Sequence, residues 1–181
     1  MKKNIMYQDL YRYSGKSDFI SFIKFFFLNP GFKFTFYLRK INSSNRVVRI
    51  FYKLFYRRMM KKYHFQIPYQ TVIKEGFYIG HFGRIIVNHR VVIGKNVNIS
   101  TGVTIGQSNR GKKEGTPIIG NEVWIGTNAV IVGKIKIGNN VLIAPNSYVN
   151  FDVPDNSVVI GNPGKIIFSE EATQGYINNK I

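Results

Sequence analysis

Between residues 85 and 149, aliphatic side chains return at every sixth position on either side of one polar interruption. Ile85, Val91, Val97 and Val103 form one row, and Val87, Ile93, Ile99 and Ile105 form a second. Beyond the interruption the count resumes with Ile119, Ile125, Ile131, Ile137, Ile143 and Val149, and glycine often follows such positions, as in Ile125-Gly126. A six-residue period is too short for a helical hairpin and fits the repeats that build parallel β-helices. Each hexad supplies one short strand and one corner, three hexads close a triangular coil, and the β-branched residues point inward to stack on the coil below. Antiparallel strands also alternate apolar and polar residues, but nothing in them holds a six-residue phase for this long. Gly and Asn at the corners tolerate the positive φ that tight corners need.

Ile67, Ile73 and Ile79 carry the phase back to about residue 67. The expected organisation is mainly β: a basic α-helical module over residues 1–66, a β-helix over residues 67–168 and a tail over residues 169–181. In the helical module, Ser17 is expected to cap a helix from Asp18 to about Leu28. Pro30 suits the first turn of a second helix, and Ser43 or Ser44 the cap of a third. In that third helix Val47, Ile50, Phe51, Leu54 and Phe55 recur at three- and four-residue spacing beside a cationic stripe of Arg46, Arg49, Lys53, Arg57 and Lys61. The plainer expectation is that the apolar stripe packs on the end of the β-helix while the charges face water. The sharper one is a helix that docks on a membrane surface or a partner, supported by Phe25, Phe26, Phe27, Phe32, Phe34, Phe36 and Tyr37 among lysines and arginines.

Charge bears on that choice. The formal net charge is +17, and residues 1–63 hold fifteen Lys and Arg against Asp9 and Asp18, a net +13. An anionic partner is implied: cofactor phosphates, an anionic glycan or an anionic membrane surface. Nucleic acid ranks last, because no recognised binding motif accompanies the charge. With no cysteine in the chain, disulfides, Cys-ligated metal and an acyl-cysteine intermediate are excluded. Met1-Lys2-Lys3-Asn4 lacks a following apolar signal core, and the run Phe25 to Leu28 is far too short to span a bilayer, so a cytoplasmic location is expected.

The interruption, Gln107 to Pro117, is polar, glycine-containing and basic. It must leave the coil at a corner, and a loop protruding from a rigid scaffold is a usual place for binding residues. Arg110, Lys112 and Lys113 are the groups there that can meet an anion.

The run Gly80-His81-Phe82-Gly83-Arg84-Ile85-Ile86-Val87, with Val103-Thr104-Ile105-Gly106, Val123-Trp124-Ile125-Gly126 and the closing Gly161-Asn162-Pro163-Gly164-Lys165-Ile166, resembles the serine acetyltransferase branch of the hexapeptide acyltransferases. The resemblance covers residues 65 to 168, and in overall pattern it leans towards the O-acetyltransferases of surface-polysaccharide synthesis. It implies a left-handed parallel β-helix, a homotrimer with active sites in the clefts between subunits, and acetyl-CoA as donor, with no metal. It also implies that His81 is the general base, a role an imidazole suits because it can take a proton from an alcohol at neutral pH. His81 lies six residues before Val87, in the inward row, so a core or corner histidine is the competing reading, although Gly80 and Gly83 suggest a backbone departure there. His89 is the runner-up base, and His64 at the helix-to-coil junction is expected to be structural.

For the donor, Gly126 and Ala144 lie eighteen residues apart, one coil, and leave a groove with little side-chain bulk. The resemblance runs the pantetheine arm along it, against backbone at Thr127 and Pro145, with Lys165 meeting a CoA phosphate. The competing readings are small residues fitted to coil packing and a solvated lysine. Trp124 is expected either to wall the cleft or to stabilise the outer face. Two departures bear on the acceptor: Pro68 stands where the resembled enzymes have an acid that orients the imidazole, and Thr116 where they have a second histidine. The orienting role is then open to a backbone carbonyl, Glu75 or Asn88. The resulting expectation is an acetyl-CoA-dependent O-acetyltransferase acting on a sugar or polysaccharide-precursor hydroxyl. Serine O-acetylation for cysteine biosynthesis and a non-catalytic β-helix scaffold are the alternatives.

Overall fold

In the computed structural model, which describes residues 4–181, four helices precede five coils of parallel β-helix. The helices are α1 (Ile5–Ser14), α2 (Phe19–Leu28), α3 (Pro30–Ser43) and α4 (Arg46–Tyr63). Each opens on a short polar side chain that accepts an otherwise orphaned backbone N–H. Asn4 takes that of Met6, Asp18 that of Ser21, Asn29 that of Phe32 and Asn45 that of Val48. Asp18 rather than Ser17, and Asn45 rather than Ser43 or Ser44, are therefore the caps. α1 lies inside the module expected to be helical but is not one of the three helices bounded from the sequence, although Asn4 at its start and Gly15 at φ 67 at its end are ordinary start and stop signals.

Strands are labelled in chain order and stack into three faces. The first holds β1 (Phe65–Gln66), β4 (Ile85–Val87), β7 (Thr104–Gly106), β10 (Val130–Val132) and β13 (Tyr148–Val149). The second holds β2 (Val72–Ile73), β5 (Val92–Ile93), β8 (Ile118–Ile119) and β11 (Lys136–Ile137). The third holds β3 (Tyr78–Ile79), β6 (Asn98–Ile99), β9 (Val123–Ile125), β12 (Val141–Ile143) and β14 (Ser157–Ile160) in parallel, closed by the antiparallel β15 (Lys165–Phe168). Every position of both aliphatic rows, and of the row after the interruption, is buried in one core.

The helical module is fastened to the first coil at three places. Phe34, Tyr37, Leu38 and Ile41 of α3, with Tyr56 and Met59 of α4, join the coil's core through Phe65 and Ile67. Gly31 opens the closest approach: a Cβ there would lie 2.2 Å from the Ile79 carbonyl oxygen. Between α1, α3 and the coil, Arg39 Nε donates to Asp9 Oδ2 at 2.8 Å, and Arg39 also donates to the Ile73 and Lys74 carbonyls. Asp9 Oδ1 accepts the Gly76 and Phe77 N–H groups at 2.8 and 3.2 Å. Burial pushes the Asp9 carboxyl up from the usual range, and the Arg39 guanidinium and the two N–H donors hold it back.

The third helix of the sequence reading turns out to be rotated. α4 packs inward through Tyr56 and Met59, while Val47, Ile50, Phe51, Leu54 and Phe55 are exposed. The expectation that this stripe packs on the β-helix is thus incorrect for the described chain, because α3 and Phe65 offer an aromatic surface that the tyrosine side of α4 fits: Tyr56 stacks on Phe34 at 4.6 Å between centroids and donates to the Ile67 carbonyl at 2.6 Å.

Asp9→Ala leaves the Arg39 guanidinium buried without its counter-charge and is expected to cost about 3–5 kcal/mol of stability in denaturant unfolding. The paired change Asp9→Leu with Arg39→Met, which removes both charges, is expected to recover most of that loss.

Candidate active site

The chain turns from the third face to the first at one edge of the coil, and His81 stands on that edge between β3 and β4, exposed. Residue pairing explains why it is not in the core. Ile79 pairs with Ile99, and Val87 with Ile105, so along the inward row the step from Ile79 to Val87 is eight residues where its neighbours are six. The two extra residues bulge at Gly80 to Arg84 and carry His81 outward. Gly83, at φ 143, lies directly against Thr101, 2.2 Å from where a Cβ would meet Oγ1.

The same edge collects the donor candidates. Ser100 to Gly102, Gly126 to Asn128, Ala144 to Asn146 and Gly161 to Gly164 are the successive corners above His81. They are held in register by Asn128 N–H donating to the Thr101 carbonyl at 3.1 Å and Asn146 N–H donating to the Thr127 carbonyl at 2.9 Å. Gly102, Asn128 and Asn146 occupy the left-handed region at φ 78, 59 and 60, where glycine and asparagine cost least. Gly126 is a packing requirement as well, since a Cβ would approach the Pro145 nitrogen to 2.6 Å.

Several backbone groups on this edge take no backbone hydrogen bond among the described residues, and the Thr127 N–H and the Pro145 carbonyl are a donor and an acceptor of that kind one coil apart, at half-buried and exposed corner positions. A donor and an acceptor so spaced fit a ligand that carries amides along an extended chain. Lys165, exposed at the start of β15 and paired in register with Ile160, stands at the top of the edge and supplies a cation there.

The other edge of the first face is separate. Asn88, His89 and Arg90 turn from β4 to β5 there, and the loop from Gln107 to Pro117 leaves the coil at the corner above. Arg90 and Asn88 both donate to Gln107 Oε1, and the Thr116 hydroxyl donates to the Arg90 carbonyl at 3.3 Å. The loop closes as a hairpin through Ser108 and Gly115 and folds along the edge, with Lys113 Nζ donating to the Asn150 carbonyl at 2.7 Å. Arg110 and Lys112 remain exposed. Within one chain His81 is thus not brought together with His89, Thr116 or the loop. Neither side-chain candidate for orienting it is free: Glu75 is paired with Lys95 at 2.8 Å, and Asn88 holds the Arg90 N–H and Gln107. His64 is the left-handed C-cap of α4, a structural position as expected.

Trp124 is on the outer side of the third face, where Tyr176 of the C-terminal segment packs on it at 4.8 Å between centroids. That segment, not foreseen as structured, straps the face: Asn140 accepts the Thr173 N–H and hydroxyl, Asn98 donates to the Tyr176 carbonyl, and Asn96 pairs with both polar groups of Ile181. Among the described residues, no cluster of three or more His, Asp or Glu side chains is arranged to hold a metal ion.

By repeat and by fold, this is a parallel β-helix built on six-residue repeats, and residues 116–150 match the family model described as bacterial transferase hexapeptide (six repeats). The chain is also similar to serine acetyltransferases. It is 38% identical over 95 residues to serine acetyltransferase 2 of Arabidopsis thaliana, covering 52% of this chain and 29% of the relative. It is also 38% identical over 95 residues to the serine acetyltransferase of Staphylococcus aureus strain Mu50, covering 52% and 45%. A serine acetyltransferase from Brucella abortus strain S19, solved in complex with coenzyme A, superposes with a TM-score of 0.73 at 27% identity over 91% of this chain and 66% of that one. The soybean serine acetyltransferase apoenzyme gives 0.73 at 27% identity over 88% and 66%. The chain spans less than half the length of these curated relatives and about two thirds of the solved structures.

These likenesses overturn the expectation of a sugar or polysaccharide acceptor, since the proteins matched are serine acetyltransferases. Thr116, read from the sequence as evidence against serine, donates its hydroxyl to the Arg90 carbonyl at 3.3 Å, on the edge away from His81 of the same chain.

His81→Ala, at an exposed position, is expected to leave the unfolding free energy within about 0.5 kcal/mol of wild type. Gly102→Ala, which forces a Cβ onto the Asn128 side chain at positive φ, is expected to cost about 1–3 kcal/mol in the same measurement.

Proposed function

We propose that the chain is an acetyl-CoA-dependent O-acetyltransferase whose acceptor is the hydroxyl of L-serine, with His81 as general base. The observation that carries this reading is the single edge that bears an exposed histidine, a backbone N–H and a carbonyl one coil apart that take no backbone hydrogen bond, and Lys165 at its top, in a coil similar to serine acetyltransferases. Thr127 and Pro145 hold the amides of the donor's pantetheine arm through backbone, Gly126 and Ala144 keep its path clear of side chains, and Lys165 meets a phosphate, a task suited to a compact ammonium. Acetyl-CoA supplies a thioester, an acyl group already activated for transfer.

His81 accepts the proton of the acceptor hydroxyl as its oxygen attacks the acyl carbon, and returns that proton to the departing sulfur. Holding both groups at one histidine makes the attack effectively unimolecular. The absence of cysteine is consistent with direct transfer through a tetrahedral intermediate. A homotrimer, with the loop edge of one subunit against the His81 edge of the next, supplies the water-excluding wall that an open edge lacks.

The test is release of CoA thiol from acetyl-CoA with L-serine and with a panel of sugars. L-Serine is expected to stimulate turnover, His81→Ala to lower kcat by about 10²–10⁴-fold, and Lys165→Ala to raise KM for acetyl-CoA about tenfold with kcat retained. Turnover that ignores L-serine removes the acceptor. A chain that does not bind acetyl-CoA is a scaffold.

A further inference from the structure

We propose that the exposed face of α2 and α4 is a docking surface for an anionic lipid bilayer. With about 3.6 residues per turn, Val47, Ile50, Phe51 and Leu54 share one side of α4, and Arg58 and Lys61 continue that side through its last turns, flanked by Arg57 and Lys62. Val47, Phe51 and Leu54 are 67%, 60% and 58% exposed, while the helix's buried residues, Tyr56 and Met59, lie on the opposite side. α2 contributes Phe19, Ile20, Ile23 and Phe27 at compatible spacing, Ile20 at 80% and Phe27 at 69% exposure. Lys33 of α3 joins the two helices: its ammonium lies 5.0 Å from the Phe26 ring and 5.8 Å from the Phe27 ring, and it lines a groove with Phe55, Arg58 and Lys62. Next to that groove is an open one of about 620 Å³ lined by Leu54, Arg57, Arg58, Lys61 and Lys62.

An exposed apolar stripe of this size calls for an occupant, and charge selects it. From Phe19 to Lys74 the chain has no acidic residue at all. A second copy docked on the same face by two-fold symmetry would set cations against cations. Nucleic acid would use the arginines and lysines but gains little from exposed valine, isoleucine and leucine. A bilayer surface with anionic headgroups uses both halves: the side chains of Phe27, Ile50, Phe51 and Leu54 enter the acyl boundary, and Arg57, Arg58, Lys61 and Lys62 meet headgroup phosphates. No described helix is long and apolar enough to cross a membrane, so the contact is interfacial. This inference stands on the helical module alone and is independent of the reaction proposed for the β-helix.

The test is flotation of the full chain with vesicles of phosphatidylcholine alone and of phosphatidylcholine mixed with phosphatidylglycerol, at physiological and at high salt. Two variants are compared with wild type: Ile50→Ser with Phe51→Ser and Leu54→Ser, and Arg57→Ala with Arg58→Ala, Lys61→Ala and Lys62→Ala. All these side chains are exposed, and circular dichroism and unfolding midpoints matching wild type establish that each variant is folded. Wild type is expected to float with the anionic vesicles only. Partitioning is expected to fall about fivefold for each cation removed, to weaken at high salt, and to be lost in the serine variant. Wild type that stays behind, or a serine variant that floats as well as wild type, overturns the proposal. A lipid-free assembly that the serine variant dissolves, without flotation, assigns the face to contact between copies. Retention on duplex DNA that only the alanine variant loses, again without flotation, assigns it to nucleic acid.

Discussion

The inward stack of isoleucine and valine holds this molecule up. Each of those side chains removes itself from water against the equivalent side chain of the coil below, a gain of about 1.5–3 kcal/mol for a fully buried residue, and the strands between corners are only two to four residues long. Strands that short cannot stand alone. They persist because every inner strand is hydrogen-bonded to a coil above and a coil below, each end strand to one neighbour, and the whole stack is backed by one continuous apolar column. The regularity of the edges follows. Once the stack fixes the spacing of the coils, residues at equivalent corners must line up, and that is how Thr127 and Pro145 come to stack, with the bulge of His81 below them and Lys165 above.

A stack of coils leaves two open ends, and repeat architectures need both covered. At the start, α3 and α4 lay Phe34, Tyr56 and Met59 over Phe65, and the buried Asp9–Arg39 pair ties α1 and α3 to the carbonyls and N–H groups of the first coil. At the end, β15 turns back antiparallel on β14 and halts the parallel progression. The C-terminal strap then spans the third face from Thr173 down to Asn96, so the last residues of the chain contact one of its first coils. One of the three faces is therefore covered by the chain itself. The loop from Gln107 to Pro117 covers one edge of the first face, and the candidate site uses the other.

The donor edge was legible in the sequence because its logic is that of the repeat: Gly126 and Ala144 are eighteen residues apart and so had to stack. His81 was harder to read. Counted back from Val87 it belongs to the core, and only the pairing of Ile79 with Ile99 reveals the eight-residue step that lifts it out. Gly80 and Gly83 were the visible signal of that bulge. The strap and α1 escaped notice because neither carries hydrophobic periodicity of the kind that announces the coils, and their anchors, Asn98, Asn140, Asp9 and Arg39, are polar groups whose partners lie far away in sequence.

The sequence by itself determined the coil, its length, its corners and the cationic, aromatic character of the first third of the chain. Those are properties of spacing and composition, and spacing is all that a stack of identical rungs requires. Only the tertiary structure decided which side of α4 faces inward and which residues share an edge with His81. An amphipathic helix with tyrosines on one side and aliphatics on the other has two ways to lie down. The choice fell to Phe34, Phe65 and the Ile67 carbonyl, which together offer an aromatic bed and one hydrogen-bond acceptor that Tyr56 can use and leucine cannot.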